Sequence, residues 1–495
     1  MRHLTFAAGV AACLAVAGCE TVGPNYVAPQ ADLPKSLNLP VPAAKRSGAV
    51  AEPVDPTWWK VFGDPVLISL EQRLSESNLD LRAAATRLAQ ARAQLGFVST
   101  AGLPSTQVKG SYTNSRTSAV GPSDLGVKSS ASAPGSGQSH PLPVSELFQP
   151  HDVYQAGFDV GWEVDLWGRV ARLIESSTAQ LEAVAYARHE IEVTASAELA
   201  RNYVLFRGTQ LKLQITRENL AAANKSLALT RERAAGGVTT DLDVANAAAT
   251  VETIAANLPA LEARKAELAN AMALLLGAQP RALEAELAAP RAVPPVPPRV
   301  PVGIPSELAL RRPDIRRAEA QLHAATADIG VATADFYPRV VLAGSGAMQA
   351  LNIHQLFSGL AATYSLGPSI SLPIFDGGRV KRTVELREAQ QQEAAILWQR
   401  TVLVALHDVD NALTFYDAEQ RRFDRLQAAV AANRRALGLA RARYEQGVAD
   451  FLQVLVAQRA LLAAEQDQAD SQTTISTNLV LLYKALGGGW DSTAQ

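Results

Sequence analysis

Few residues of this chain have the types and the spacing that enzyme chemistry requires. The seven histidines are scattered singly, and the chain contains no HExxH, CxxC or GxSxG motif and no phosphate-binding glycine loop. The two cysteines, Cys13 and Cys19, both lie near the start of the chain. The formal net charge of −2 does not favour a nucleic-acid partner. We therefore expect no enzyme activity, no cofactor, no bound metal and no nucleic-acid partner.

The start of the chain predicts export and a lipid anchor. A short basic start precedes the apolar run LTFAAGVAACLAVAG, which is too short to span a bilayer and has the form of a secretory signal. The run ends in VAGC, which resembles the lipobox of bacterial lipoproteins, where the chain is cut before the cysteine and the cysteine is acylated. In that family, an aspartate directly after the cysteine favours retention in the inner membrane. Because this chain has Glu20 at that position, we expect delivery to the outer membrane. We predict a signal peptide over 1–18, lipidation of Cys19 and an N-terminal extension over 19–65; the alternative is an ordinary signal peptide with Cys19 incidental.

The rest of the chain is an internal duplication. The stretch NLDLRAAATRLAQARAQLG from Asn78 aligns with RPDIRRAEAQLHAATADIG from Arg312, and residues 237–238 align with 447–448. The offset changes from 234 residues (312 − 78) to 210 (447 − 237), so the first half carries 24 extra residues, within a Ser/Gly/Pro-rich stretch at about 114–150. We predict a first repeat over 66–286, a proline-rich connector over 287–305, a second repeat over 306–488 and a C-terminal tail over 489–495.

Four segments alternate apolar and polar side chains with the period of a β-strand. In the clearest of them, from Tyr154 to Val164, the residues Tyr, Ala, Phe, Val, Trp and Val alternate with Gln, Gly, Asp, Gly and Glu. Strands of about ten residues can cross a bilayer when tilted, but four strands are too few to close a membrane barrel. We therefore expect other copies of the chain to complete the sheet; the alternative is a small soluble sheet covered by a helix. The predicted strands lie at about 104–113, 154–165, 338–348 and 363–374.

Two long stretches without proline predict two long helices. They run from Gly168 to about Ala235 and from Gly378 to about Gln446, and at roughly 1.5 Å per residue each would be about 100 Å long. Each carries a large apolar residue at every seventh position, which favours a coiled coil or a helical tube. Periodicity alone also fits an ordinary periplasmic coiled coil. The two stripes are Leu199, Phe206, Leu213, Leu220 and Leu227, and Val409, Tyr416, Phe423, Val430, Leu437 and Tyr444.

A glycine ends each of these predicted helices. Gly237 and Gly447 can adopt the left-handed conformation that stops a helix, and Thr240 or Asp450 could cap the helix that follows. We therefore predict that each repeat is a helical hairpin. The predicted hairpin tips lie at about 236–241 and 446–451.

Several blocks of the sequence together resemble the TolC-like outer-membrane factors, and more closely their lipid-anchored efflux-channel branch. The blocks are CETVGPNYVAP after the lipobox, WEVDLWGR, LRRPDIRRAE, IGVATADFYPRVVLAGSG, PIFDGGR and the two glycine tips. The resemblance implies a mostly α-helical, duplicated chain that assembles as a homotrimer, with a 12-stranded β-barrel in the outer membrane and a 12-helix tube in the periplasm. It also implies a passive gated duct for drugs or other small toxic compounds, whose tips meet a periplasmic adaptor joined to an inner-membrane proton-driven pump.

The same resemblance assigns candidate gate residues near the tips. Asp243 lies at a matching acidic position, Tyr444 matches a tyrosine before the tip glycine, and Arg459 matches an arginine of the lipid-anchored branch. Gln453 stands where relatives often have an aspartate, so we expect a weaker acidic ring. The alternative for these residues is an ordinary solvated helix end. The residues expected to dock the adaptor are Gly237, Val238, Thr239, Gly447, Val448 and Ala449.

Two other functions remain open at this point. An outer-membrane channel for protein (type I) secretion would use the same fold, so the sequence does not separate it from small-molecule efflux. A periplasmic coiled-coil adaptor would carry one hairpin flanked by β-rich domains, whereas this chain carries two hairpins in tandem with strands. The transported substrate cannot be read from the sequence because the pump selects it.

Overall fold

The computed structural model describes residues 21–30, 47–50, 52–116, 150–303 and 311–490. The predicted signal peptide, Cys19 and most of the Ser/Gly/Pro-rich stretch lie outside these ranges.

In the described ranges, the order of two strands, a long helix and a further helix occurs twice, once in each repeat. The helices are α1 (Pro65–Ser77), α2 (Leu79–Ser99), α3 (Arg169–Ala235), α4 (Asp241–Ala255), α5 (Asn257–Leu275), α6 (Glu284–Leu287), α7 (Pro313–Ala334), α8 (Arg379–Glu445) and α9 (Phe451–Ala485). The strands are β1 (Gly48–Val50), β2 (Ser105–Ser115), β3 (His151–Val164), β4 (Arg299–Pro301), β5 (Arg339–Ala350) and β6 (Ala362–Ser371).

Four of the strands form one antiparallel sheet in the order β2-β3-β5-β6. The two strands of each repeat are neighbours, and β3 pairs with β5 to join the repeats. Phe158 lies opposite Val108 on one side and Gly346 on the other, and Gly346 lies opposite Tyr364. Since directly opposed residues project from the same face, the alternation in each strand gives the whole sheet one apolar and one polar face.

The long helices α3 and α8 each contain 67 residues and repeat the 210-residue offset. A glycine with positive φ precedes each one, Gly168 at 75° and Gly378 at 83°. In the part of the chain that the structure describes, no helix is both long and apolar enough to cross a membrane.

The chain divides into two compact units by its backbone contacts. The first takes its described residues from 21–26, 93–178 and 324–391, and it contains the four-stranded sheet. The second takes its described residues from 27–92, 179–323 and 392–495, and it contains most of both apolar stripes in buried positions. Trp58 is 1% exposed and stacks on Tyr483 at 5.2 Å in the main core of this second unit.

One pairing in the second unit was not predicted. Strand β1 of the N-terminal extension pairs in parallel with β4 of the connector, with Gly48 opposite Arg299. Val300 and Val302 are fully buried in the main core. The connector is therefore part of a packed structure as well as a proline-rich link between the repeats.

Residues 21–26, in the first unit, are held against the start of α3. The amide of Val22 donates to the carbonyl of Trp167 at 3.1 Å. The buried Arg172 donates from Nη2 to Oδ1 of Asn25 at 2.5 Å and from Nε to the carbonyl of Val22 at 3.3 Å. Gly168 permits this approach, because a Cβ there would lie 2.5 Å from the Thr21 side chain.

Candidate functional site

The two hairpin tips share one backbone design. After α3, the amide of Gly237 donates to the carbonyl of Ala234 at 2.9 Å, and the amide of Val238 donates to the carbonyl of Arg233 at 2.8 Å. The second tip repeats both bonds around Gly447, and the glycines have φ of 72° and 73°. This pattern is the Schellman motif, which requires a left-handed residue and leaves the next side chain outside the helix. Val238 and Val448 are accordingly exposed.

At the first tip, Asp243 is part of a capping box. Its Oδ2 accepts bonds from the hydroxyls of Thr239 at 2.5 Å and Thr240 at 2.9 Å and from the amide of Thr240 at 3.2 Å. The Thr240 hydroxyl in turn accepts from the amide of Asp243, so Thr240 caps α4 as predicted. The bond from Thr239 is the main cause that lowers the pKa of Asp243 below its usual value. The carboxylate is charged at neutral pH, and its Oδ2 is bonded within its own hairpin.

The second tip lacks this box, and only the cap position predicted for Asp450 is confirmed. Asp450 stands at the cap position but accepts no capping bond. The repeat offset of 210 places Ala449 at the position of Thr239 and Gln453 at that of Asp243. The hydroxyls and the carboxylate that build the first box therefore have no counterparts, and Gln453 is exposed.

The remaining predicted gate residues lie in different surroundings. Tyr444 is 5% exposed and packs on Phe451, with ring centroids 5.4 Å apart. Its hydroxyl has no hydrogen-bond partner among the described residues. Arg459 is exposed and donates to the hydroxyl of Thr250, on α4, at 3.3 Å. Within the described ranges of one chain, no hydrogen bond or ion pair joins Asp243, Tyr444, Gln453 and Arg459 to one another.

Arg233, which is not among the residues predicted from the sequence, links the two hairpins. Its Nη1 donates to the carbonyl of Tyr444 at 2.7 Å and approaches that of Glu445 at 3.4 Å, while its guanidinium lies 4.5 Å from the centre of the Tyr444 ring. A basic residue in the last turn of a helix is a common signal, and Arg443 shares it in the second repeat. Nothing in the pattern shows which arginine reaches across.

The strand sheet forms the second candidate surface. On its apolar face, Val108, Tyr364 and Leu366 are each more than 80% exposed in the single chain. Its polar face carries the ion pair between Lys109 and Asp159, with 2.8 Å between Nζ and Oδ2. So large an exposed apolar area indicates contact with another apolar surface. The members of the apolar face are Val108, Tyr112, Tyr154, Ala156, Phe158, Val160, Trp162, Val164, Val340, Leu342, Met348, Tyr364, Leu366 and Ile370.

Among the residues that the structure describes, no group of three or more His, Cys, Asp or Glu could hold a metal ion. The chemistry that these surfaces offer is apolar contact at the sheet and polar contact at the tips.

Comparison with known proteins identifies the family. The family model described as outer membrane efflux protein matches residues 70–278 and 304–488. The chain is 32% identical over 493 residues to the outer membrane protein OprJ of Pseudomonas aeruginosa. The alignment covers 99% of this chain and 97% of that protein. It is 31% identical to the solvent efflux pump outer membrane protein SrpC of Pseudomonas putida, over 97% of both chains.

A solved structure extends the match to three dimensions. The outer-membrane channel OprN superposes with a TM-score of 0.84 at 35% sequence identity, over 95% of this chain and 100% of that chain. Sequence and fold thus agree over nearly the whole length and over both repeats. The chain therefore belongs to the outer membrane efflux protein family, and it is an outer-membrane component of an efflux system.

Proposed function

We propose that the chain is the exit duct of a tripartite efflux pump, a passive gated channel that carries drugs or other small toxic compounds across the outer membrane. The observation that carries this proposal is the sheet, with one apolar face, one polar face and two edge strands, β2 and β6; among the described residues, that apolar face is exposed and neither edge strand has a second strand partner. The apolar face contacts outer-membrane lipid and the polar face lines the pore.

The open edges support assembly of the chain as a homotrimer. Edge strands with free backbone groups must pair, and membrane strands must close into a barrel. Four strands are fewer than the smallest bacterial barrels contain, whereas three copies supply twelve, an even number within the known range. Each edge strand β2 would then pair with β6 of a neighbouring copy.

The hairpin tips are proposed to meet the periplasmic adaptor, which joins the duct to an inner-membrane proton-driven pump. Both tips expose a valine beside a rigid Schellman turn, so they offer small, preorganised apolar contacts. The proposed docking residues are Gly237, Val238, Thr239, Gly447, Val448 and Ala449. The SrpC relative is named for solvent efflux, which favours small molecules over secreted polypeptides as cargo.

The periplasmic gate is proposed to lie at the same tips. Asp243, Tyr444, Gln453 and Arg459 are the residues assigned to it by the resemblance. Three-fold symmetry would present each exposed side chain three times around one axis, which amplifies a single charge. Gln453 is exposed and uncharged, so its ring would be weaker than one of aspartates.

The test is to cross-link live cells, isolate this protein and identify its partners by mass spectrometry. We expect a periplasmic adaptor together with a proton-driven inner-membrane pump. Recovery of an ATP-driven exporter with a secreted polypeptide would contradict efflux and assign the duct to protein secretion. A matched sample without cross-linker separates partners from co-purifying membrane proteins.

A further inference from the structure

The Arg233 side chain makes a contact that the duplication does not repeat. It extends from the last turn of α3 to the last turn of α8, where Nη1 bonds the Tyr444 carbonyl and the guanidinium covers the Tyr444 ring. The position 210 residues later is Arg443, which is exposed and forms no side-chain hydrogen bond or ion pair with the other described residues. The arginine of the first hairpin thus contacts the second hairpin, whereas the matching arginine of the second hairpin does not contact the first.

The sequence explains this asymmetry. Tyr444 corresponds by the 210-residue offset to Ala234 in the first repeat. Arg233 therefore finds an aromatic face on the opposite hairpin, whereas Arg443 would find only a methyl group. A guanidinium over a tyrosine ring gains cation–π attraction, and a cation at the carbonyl end of a helix gains from the helix dipole. The cation–π gain is available only in the Arg233–Tyr444 direction, because the first repeat has no aromatic ring at the matching position.

Tyr444 enters the contact through its ring and backbone. Arg233 covers one part of the ring and Phe451 packs at 5.4 Å, while the buried hydroxyl has no partner among the described residues. Asp243 is not its partner in this structure, and the Oδ2 of Asp243 accepts from Thr239 and Thr240. Tyr444 is therefore held by ring contacts, with the guanidinium and with Phe451, and not by a bond to its hydroxyl.

We propose that Arg233 is the positioning residue of the periplasmic opening. It ties the tip of the first hairpin to the second through the ring face and carbonyl of Tyr444, and so favours the closed arrangement of the tips. This inference rests on the proposed duct function, because it assumes that the tips gate a channel. In this proposal, the ring of Tyr444 binds the guanidinium of Arg233.

The test uses the full chain, purified and reconstituted in planar bilayers, and records open probability. Arg233→Ala should raise the population of the open state about tenfold, the factor that corresponds to about 1.4 kcal/mol. Arg233→Lys should raise it less, because an ammonium keeps the charge without the planar fork. Arg443→Ala is the matched control and should behave as the wild type.

Tyrosine variants separate the ring from the hydroxyl. Tyr444→Phe should keep the wild-type open probability, whereas Tyr444→Ala should raise it, because it removes the ring that the guanidinium covers. The free-energy effect of the double variant Arg233→Ala with Tyr444→Ala should be smaller than the sum of the two single effects, because both substitutions remove the contact between ring and guanidinium. A large effect of Tyr444→Phe would overturn the proposal in favour of a bond to the hydroxyl.

A second readout does not depend on transport. Hydrogen exchange of the amides in residues 443–450 should be faster in Arg233→Ala than in the wild type, and unchanged in Arg443→Ala. Unchanged hydrogen exchange in Arg233→Ala would show that the contact between Arg233 and Tyr444 does not hold the two hairpins together. Faster exchange with unchanged open probability would overturn its role in opening. Absence of any conductance in the wild type would contradict the proposed duct function, and the exchange data would still decide whether the tie exists.

Discussion

At the scale of single residues, one carboxylate organises the start of α4. Asp243 accepts from two hydroxyls and one amide, and these bonds are stronger when it is charged. Its folded pKa is depressed, so the stability that it contributes is present above the unfolded pKa, about 3.9. That stability is lost as the pH falls through the folded pKa.

We therefore expect Asp243→Asn to loosen the first tip at neutral pH. Loss of a cap of this kind costs about 1 kcal/mol, which corresponds to about fivefold faster hydrogen exchange in residues 239–246. The ratio of variant to wild-type rates, taken at the same pH, should approach one as the pH falls below the folded pKa of Asp243. Gln453→Asn, at the matching position of the second tip, is the control and should leave the rates unchanged. A ratio independent of pH would contradict the role of the charge.

At the scale of elements, residues 21–26 and the start of α3 depend on close backbone approach. Gly168 has φ of 75°, and a Cβ there would lie 2.5 Å from the Thr21 side chain and 2.8 Å from its Cα. Its repeat partner Gly378 has φ of 83° but no atom within 4 Å of such a Cβ. Both glycines therefore need the left-handed backbone conformation, but only at Gly168 would a Cβ meet neighbouring atoms.

This pair gives a matched prediction for alanine substitutions. Gly378→Ala should cost only the left-handed strain, about 1 to 2 kcal/mol. Gly168→Ala should cost more, because it also displaces residues 21–26 and the bonds of Val22 and Asn25. The measurement is the apparent melting temperature together with the rate of protease cleavage after Thr21. Equal effects of both substitutions would show that the segment does not dock there.

Some helices and strands could be predicted from the sequence, and others could not. Both long helices were predictable because proline is absent between two glycines in each repeat, and the sheet faces were predictable because the alternation is unbroken. The pairing of β1 with β4 was not predictable, since three-residue strands 251 positions apart (299 − 48) leave no local pattern. Arg233 and Arg443 have the same local signal, and only the tertiary contact with Tyr444 distinguishes them.

At the scale of the whole molecule, the proposed orientation of the sheet in the membrane has a direct test. Val160→Arg places a charge on the apolar face of β3, where it should cost about 2 to 4 kcal/mol near the bilayer midplane. We expect the variant to lose the oligomer band in outer-membrane fractions, measured by gel electrophoresis without boiling. Gln155→Arg, on the polar face of the same strand, should assemble normally. Equal assembly of both variants would contradict contact of the apolar face with lipid.

The docking of residues 21–26 has a consequence for the kinetics of insertion. Between Thr21 and the predicted lipid on Cys19, two residues span at most about 7 Å. An anchor on so short a tether would hold the sheet of its own chain at a high effective concentration beside the bilayer. Insertion would then become a first-order step whose rate does not depend on how much protein is present. A longer or undocked leader would lose this advantage even with its acyl chains intact.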